Sequence, residues 1–594
     1  MATTNPFHVD ESKPWLQKAA GWPDEVPRNL EFPKKTLRDM YKEAVAQYPD
    51  HNAAWFLGHF MTYRELDDKI DRFATALHKL GIKKGDVVAM LLPNSFQYVV
   101  GYYGAAAIGA IPSGINPTYK PMEILHQLKA INAKTLVVLD ALYEGQVAPI
   151  RDKSPVRTII ATNIVDLVGL SPLKRFLGKL LKKIPTGPVP ADALQLTDLL
   201  KTEKNVPKVD IDPMEDPATY IMTGGTTGVP KAAVLTHFNV VSNAAQARAW
   251  LFKVKAGACS VGVLPLFHSF AMTCVMNISF SYGGWMMLFP KPPPMGELLD
   301  TIVKLGTPGA TYFCGAEILF KKITDYFESL PEDQRPKITG KLDLCVSGAG
   351  PLHRPVQEAF ERITGAKLVE GFGLTETSPV VSGGIFWGER RLGVIGYPFP
   401  GTEWRILDTE TGTKEMGIGP DQAGELIVAG PQVMKGYLNQ PEETKDHIKE
   451  LHGKKWMFTG DIGYFDEHGL VTICDRKKQL IKYKGYSVFP KEVEELVGGH
   501  EAASEVAVAG IPDPETGELI KAWVVLRPEF KGKITPEEMI EWCKKNLTHY
   551  KQPKLIEFKD ELPKTLVGKI LRRILQEEDP LWQERTKALK AQKK

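Results

Sequence analysis

Residues 220–237, YIMTGGTTGVPKAAVLTH, set three glycines, four threonines and one lysine between two apolar runs. Glycines let backbone amides converge and hydroxyls add further donors, a composition suited to holding phosphate oxygens. A Walker nucleotide site needs G-x-x-x-x-G-K-[ST], with the lysine and a magnesium-binding hydroxyl directly after the last glycine. Here Gly228 is followed by Val229, Pro230, Lys231 and Ala232. That order disfavours kinase or switch-type NTPase chemistry. It leaves a flexible, hydroxyl-rich loop suited to a diphosphate that departs as one unit. Taken alone, the loop also reads as a surface turn of small residues.

Such a loop needs a scaffold, and the chain alternates helical and strand patterns from residue 62 onward. In MTYRELDDKIDRFATALHKLG, Thr62 reads as a helix cap with Glu65 as its reciprocal acid. Leu66, Ile70, Phe73, Leu77 and Leu80 form one apolar stripe, and Gly81 ends it. The apolar runs at 87–93, 134–140, 158–162 and 342–348 read as buried strands beside helices, which predicts α/β layers with largely parallel sheets. From Gly384 the strands shorten, as in GTEWRILD, GELIVAG and GLVTICD, and predict a small β-rich subdomain. Past Asp475 the pattern changes to mixed α and β, including a helix capped by Thr535 with Glu538. The expected architecture is an N-terminal α/β domain over 1–474 and a smaller α+β lid over 475–594. The polar, basic tail from Trp582 is expected to fray.

A chain of 594 residues is too long for one hydrophobic core. Its 74 basic and 71 acidic residues leave a net charge of +3, so no nucleic-acid footprint is expected. The six cysteines show no Cys-x-x-Cys spacing and read as thiols of a reducing compartment. The first residues carry Asp10, Glu11, Asp24 and Glu25 without a long apolar run, and no stretch long and apolar enough to span a bilayer follows. The expectation is a soluble cytoplasmic protein.

Further motifs follow the loop in order: PLFHSF (265–270), SGAGPL (347–352), EGFGLTETSP (370–379), WMFTGDIGYFDEHG (456–469), DRKKQLIKYKGYSVFPKEVEE (475–495) and ELPKTLVGKILRR (561–573). With the loop, they resemble the adenylate-forming superfamily of acyl-CoA synthetases, acyl-adenylating domains and beetle luciferases, over nearly the whole chain. INPTYKPMEILHQL (115–128), DRKK and LPKTLVGKILRR look most like bacterial long-chain fatty-acid CoA ligases. Two departures are Ala232, where the family usually has glycine, and QLIKYKGYSV, closer to the luciferase and coumarate-ligase style.

The resemblance implies a two-step reaction. A carboxylate attacks the α-phosphate of ATP to give acyl-AMP and pyrophosphate, and the CoA thiol then displaces AMP. Positioning and fixed positive charge do most of such work. By match to the family's motifs, Lys569 supplies charge during adenylation, and Glu376 with Thr223 holds Mg2+. Thr223, Gly224, Gly225, Thr226, Thr227, Gly228 and Lys231 cradle phosphates. Ser347, Gly348 and Ala349 face adenine across from Phe372, beside Glu370, Gly371, Gly373 and Thr375. Glycines beside Phe372 suit close approach of a ligand. Asp461 and Arg476 hold the ribose, and His268 lies near the acyl carbonyl. The lid is expected to turn about Lys478, replacing Lys569 with Lys482, Lys484 and Gly485, which line the CoA channel.

SPLKRFLGKLLKKIP (171–185) places Leu173, Phe176, Leu177, Leu180, Leu181 and Ile184 on one stripe, with Lys174, Arg175, Lys179, Lys182 and Lys183 opposite. Residues 172–184 therefore suit weak contact with an anionic membrane, or else the stripe covers the body of the domain. Alternatives for the whole chain are a medium-chain, aryl or alicyclic acid ligase, an acyl-AMP ligase acylating a carrier protein, a luciferase, and a non-catalytic binder. A carrier-acylating enzyme is expected to carry an insertion between GELIVAG and WMFTGD, which is missing here, and a binder to have lost Lys569 or Glu376.

Overall fold

Capping chemistry sets the helix starts. The Glu65 amide donates to the Thr62 hydroxyl at 3.2 Å and the Thr62 amide to the Glu65 carboxylate at 2.8 Å, opening helix Tyr63–Lys79. Thr535 and Glu538 make the same exchange at the start of Pro536–Asn546. The computed structural model describes residues 5–223, 230–307, 310–388, 390–391, 393–484, 486–565 and 570–592. The chain divides into two compact units, one of residues 1–392, 396–403 and 428–457, the other of 393–395, 404–427 and 458–594.

In the first unit, Val87–Leu91 and Thr135–Leu139 are buried along their whole lengths. They sit inside a five-stranded parallel sheet of order Ile111–Gly114, Val87–Leu91, Thr135–Leu139, Thr158–Thr162, Leu194–Gln195. Parallel strands covered on both faces read as unbroken apolar runs, which is why these runs do not alternate. A nine-stranded sheet has a parallel centre in the order Lys367–Gly373, Leu344–Ser347, Thr311–Gly315, Cys259–Gly262, Trp285–Leu288, Asn52–Phe56. Antiparallel strands close both of its ends.

A third sheet is antiparallel. Lys231–Thr236 pairs with Pro217–Thr223 on one side and Gly436–Tyr437 on the other. Tyr220, Ala232 and Val234 share a buried cluster with Leu136, Val138 and Ile159 of the five-stranded sheet. The Thr219 hydroxyl donates to the Pro112 carbonyl at 2.7 Å, and the Ser113 hydroxyl to that of Tyr220 at 2.8 Å. The hairpin bearing the candidate phosphate loop is thus fastened to a sheet edge by both packing and hydrogen bonds.

His237 starts the helix after this hairpin, almost wholly buried, and its Nδ1 accepts the Leu37 amide at 3.1 Å. Burial lowers its pKa from 6.5 to about 4, with Asp216 and Asp39 opposing and Lys84 assisting. The unfolded chain therefore takes up a proton that the folded chain refuses. This stability is complete above the ordinary histidine value and is lost as pH falls toward the folded one. Between pH 7.5 and pH 5 the loss should be about 2 kcal/mol. Denaturant unfolding of wild type and His237→Asn at the two pH values is expected to show a narrower gap in the variant.

The second unit is built on the hairpin Ala503–Asp513 with Gly517–Leu526, joined by parallel Leu555–Lys559. Val493, Val497, Met539 and Cys543 of helices Pro490–Gly498 and Pro536–Asn546 enter its core. The tail differs from expectation: Pro580–Gln592 is a helix. The Trp582 amide donates to Asp579 at 3.0 Å, Leu581 and Trp582 pack beside Ile511 and Trp523, and Arg585 pairs with Asp513 at 2.8 Å. A polar composition concealed these three anchors. All cysteines are free thiols, buried except for half-buried Cys474. Among the described residues no helix is long and apolar enough to cross a membrane.

Candidate active site

Gly224, Gly225, Thr226, Thr227 and Gly228 lie outside the described residues, as do Gly485 and Lys569. What frames the loop is defined. Thr223 and Lys231 are register partners in antiparallel strands, so the loop closes a hairpin. A Walker loop joins a strand to a helix, and topology now agrees with sequence in setting this loop apart.

Lys231 pairs with Glu443, and its ammonium lies 5.4 Å from the Tyr437 ring centre. The Tyr437 hydroxyl donates to the Glu376 carboxylate at 2.7 Å, while the Met434 amide donates to the Glu376 carbonyl at 2.8 Å. Strand Gly436–Tyr437 thereby ties Glu376 to the hairpin. Burial, then the adjacent Glu376 charge, pushes the Tyr437 phenol far above its usual range, so it remains a donor. Thr375, one residue before, has its hydroxyl 3.2 Å from that of Ser269.

Seven of the predicted residues of this unit meet at a cleft with about 730 Å³ of empty space, its open mouth included. His268, Gly348, Ala349, Gly371, Phe372, Gly373 and Thr375 line it, together with Trp250, Leu251, Ile278, Phe386 and Phe399. Ser347, fully buried, ends the strand leading to Gly348. Glu370 is turned to the backbone, its carboxylate accepting the Leu352 amide at 3.1 Å. The glycine at 373 has a reason within the protein itself. A Cβ there would sit 2.1 Å from the Pro379 carbonyl oxygen, so close backbone packing, rather than ligand approach, already requires it.

Burial lowers the His268 pKa from 6.5 to about 4, so the ring is neutral near pH 7. Its Nδ1 accepts the Phe270 amide at 3.2 Å. The proton of the neutral ring must then reside on Nε2, which makes His268 a hydrogen-bond donor and not a cation.

In the second unit, Asp461 and Arg476 face each other across paired strands, with Nε and Oδ1 2.9 Å apart. Lys477 pairs with Glu425 at 2.8 Å, one residue before Lys478. The Lys482 amide donates to Glu518 at 2.7 Å and the Lys484 amide to the Thr516 carbonyl at 2.7 Å. Lys484 itself has a positive φ of 48°.

Sequence reasoning missed Tyr437, Glu443 and the cleft wall of Trp250, Leu251, Phe386 and Phe399. Trp250 is stacked on Phe399 at 5.3 Å, edge-on to Trp22 at 5.4 Å, and donates its indole N–H to the Gly384 carbonyl at 2.9 Å. The wall comes from segments more than a hundred residues apart, and no local pattern marks it.

Residues 41–438 match the AMP-binding enzyme family, and residues 492–569 match the AMP-binding enzyme C-terminal domain. A long-chain-fatty-acid–CoA ligase of Bacillus subtilis is 39% identical over 580 residues, 96% of this chain and 99% of the relative. ATP-bound MatB from Rhodopseudomonas palustris superposes with a TM-score of 0.73 at 26% identity, over 91% of this chain and 99% of that one. A long-chain-fatty-acid–CoA ligase from Archaeoglobus fulgidus gives 0.64 at 25% identity, over 89% and 98%. Full-length similarity to a ligase, two matched domains and the expected α/β fold together place the chain within the AMP-binding enzyme family.

Proposed function

We propose that the protein is an AMP-forming acid–thiol ligase that converts a fatty acid, ATP and CoA to acyl-CoA, AMP and pyrophosphate. One observation carries the substrate class: the motif residues His268, Gly348, Ala349, Phe372 and Thr375 share a single cleft with an almost wholly apolar wall. An acyl chain gains about 0.8 kcal/mol for each buried methylene, so such a wall suits a long chain. An aryl acid is the second reading, favoured by the rings of Trp250, Phe386 and Phe399 in the same wall. Long-chain acids also partition into bilayers, so a lipid surface is a ready source of such a substrate.

In this reading the substrate carboxylate attacks the α-phosphate and the P–O bond to pyrophosphate breaks. The neutral His268 directs Nε2–H at an acyl or phosphate oxygen. The hairpin loop with Lys231 holds the departing phosphates, Phe372 takes one face of adenine, and Asp461 with Arg476 takes the ribose. Lys569 supplies positive charge in this step, and Lys482, Lys484 and Gly485 attend the thiol in the next. Lys478 is the hinge between the steps. A hard cation bound to triphosphate needs oxygen donors, and Thr223 and Glu376 provide them. Among the described residues no group of three or more His, Cys, Asp or Glu could hold a metal, and a Mg2+ held by Thr223 and Glu376 would share its remaining positions between substrate phosphates and water. Mg2+ bound there would neutralise charge on the leaving pyrophosphate.

Incubation with ATP, Mg2+, CoA and acids from acetate to stearate, with benzoate alongside, is expected to yield AMP and pyrophosphate in proportion to thioester, with the highest kcat/KM for a long chain. Stoichiometric ADP would sink the reaction class. A preference for benzoate would replace the fatty acid by the aryl reading.

A further inference from the structure

Between Asp166 and Asp192 the chain carries no acidic residue. Helix Pro172–Leu180 occupies this stretch, with Ser171 accepting the Lys174 amide at its start. Leu173, Phe176, Leu177 and Leu180 fall on one face, with Leu181 next, and each is 43–67% exposed. Of the twelve large hydrophobics exposed among the described residues, these five lie within nine consecutive positions. Isolated exposed leucines need no explanation, but a contiguous patch marks an interaction surface. The stripe does not cover the body of its own domain.

Two side chains depart from the simple amphipathic pattern, and both fasten the helix. Arg175 turns from the cationic face to pair with Asp166 at 3.1 Å, and Asp166 also accepts the Thr162 hydroxyl and the Asn163 amide at 2.9 and 2.7 Å. Lys182 takes a left-handed conformation, φ 54°, and the chain folds back so that Ile184 is buried. A Cβ on Gly178 would lie 2.5 Å from Ile184, so the glycine admits this return. Beyond it, the Asn163 side chain donates to the Pro185 carbonyl at 2.8 Å, and Thr186 donates to Asp140 at 2.8 Å. The helix is displayed from a base at the end of strand Thr158–Thr162, and Lys174, Lys179, Lys182 and Lys183 remain as its cations.

We propose that this helix seats the enzyme on an anionic lipid bilayer, its five exposed apolar side chains entering the headgroup–acyl boundary and its four lysines meeting lipid phosphates. Charge chooses the occupant. A second copy meeting the same face by twofold symmetry would oppose like cations, whereas a phosphate-bearing surface complements them. One short helix gives weak, reversible binding, which lets the enzyme leave with its product. The proposal needs no turnover, so it stands or falls apart from the ligase reading.

The test uses the full chain with vesicles of phosphatidylcholine, pure or mixed three to one with phosphatidylglycerol. Wild type should co-sediment with the mixed vesicles at least tenfold more strongly than with the pure ones. The triple variant Leu173→Ser, Phe176→Ser, Leu180→Ser should lose tenfold or more, while its melting temperature and its turnover of soluble octanoate stay unchanged. Lys182→Glu with Lys183→Glu should erase the preference for the anionic lipid, since each lysine contributes roughly fivefold near such a surface. Equal vesicle binding by wild type and the triple variant would overturn the proposal, as would a lowered melting temperature of the triple variant. A wild-type dimer that the triple variant dissolves, without vesicle binding, would assign the face to a second copy and overturn it too.

Discussion

Lys569→Ala is expected to slow acyl-AMP formation from acid and ATP by about a thousandfold, the effect typical of removing one preorganised group from a developing oxyanion. The same variant should convert supplied acyl-AMP and CoA to acyl-CoA at close to the wild-type rate. The α-phosphorus is attacked, and charge builds on departing pyrophosphate, only while the anhydride is being made. In the thiol step the CoA sulfur bonds to the acyl carbon and the acyl C–O bond to AMP breaks, with no attack at phosphorus and no pyrophosphate released. Lys478→Pro should do the reverse, forming acyl-AMP but failing to pass it on, because proline holds φ near −65° at the residue proposed as hinge. Both half-reactions can be followed on purified protein with the same adenylate. Equal loss of both steps in Lys569→Ala would refute the division of labour, even with the overall reaction intact.

How legible the molecule was depends on the range over which each feature is encoded. Helix caps such as Thr62 with Glu65 lie within four residues, and buried strands such as 87–91 lie within one apolar run, so sequence revealed both. The ordered motifs carried the family because each is a local signature. The glycine–threonine loop looked like a phosphate cradle, but the third strand that flanks its hairpin, Gly436–Tyr437, lies more than two hundred residues away in sequence. Asp475 is a second example. Its carboxylate accepts the Arg476 and Lys491 amides at 2.7 and 2.6 Å, and Arg572 lies 3.7 Å away while donating to Glu494 at 2.7 Å. Read linearly, DRKK offered Arg476 and a hinge. The buried anion anchoring the start of helix Pro490–Gly498 emerged only in three dimensions. The cleft wall was invisible for the same reason, since Trp250 and Phe399 reveal a shared surface only once stacked. Arg175 failed differently: helical periodicity assigned it to the cationic face, and a tertiary ion pair with Asp166 turned it away.

Glu376→Gln is expected to reduce adenylation by about a hundredfold and to raise the Mg2+ concentration needed for half-maximal rate. Gln keeps an oxygen for the Tyr437 hydroxyl, which donates to Glu376 at 2.7 Å, so packing is conserved and only the charge is removed. The loss should then fall on the metal and not on the fold. Tyr437→Phe separates the two roles further. It leaves the carboxylate charged but deletes the donor that orients it, and losses from such supporting partners run to about 10–100-fold, so an effect near tenfold is expected. Because the Tyr437 phenol is held protonated by burial and by the Glu376 charge, its donation should persist through the alkaline limb of the activity profile, and the Tyr437→Phe deficit should be constant from pH 7 to pH 9. Magnesium titrations of acyl-AMP formation for wild type, both variants and Lys569→Ala provide the comparison. Lys569→Ala should lower the maximal rate at an unchanged Mg2+ midpoint, whereas Glu376→Gln should move the midpoint. An unmoved midpoint in Glu376→Gln would remove Glu376 from the metal site and leave it as a structural partner of Tyr437.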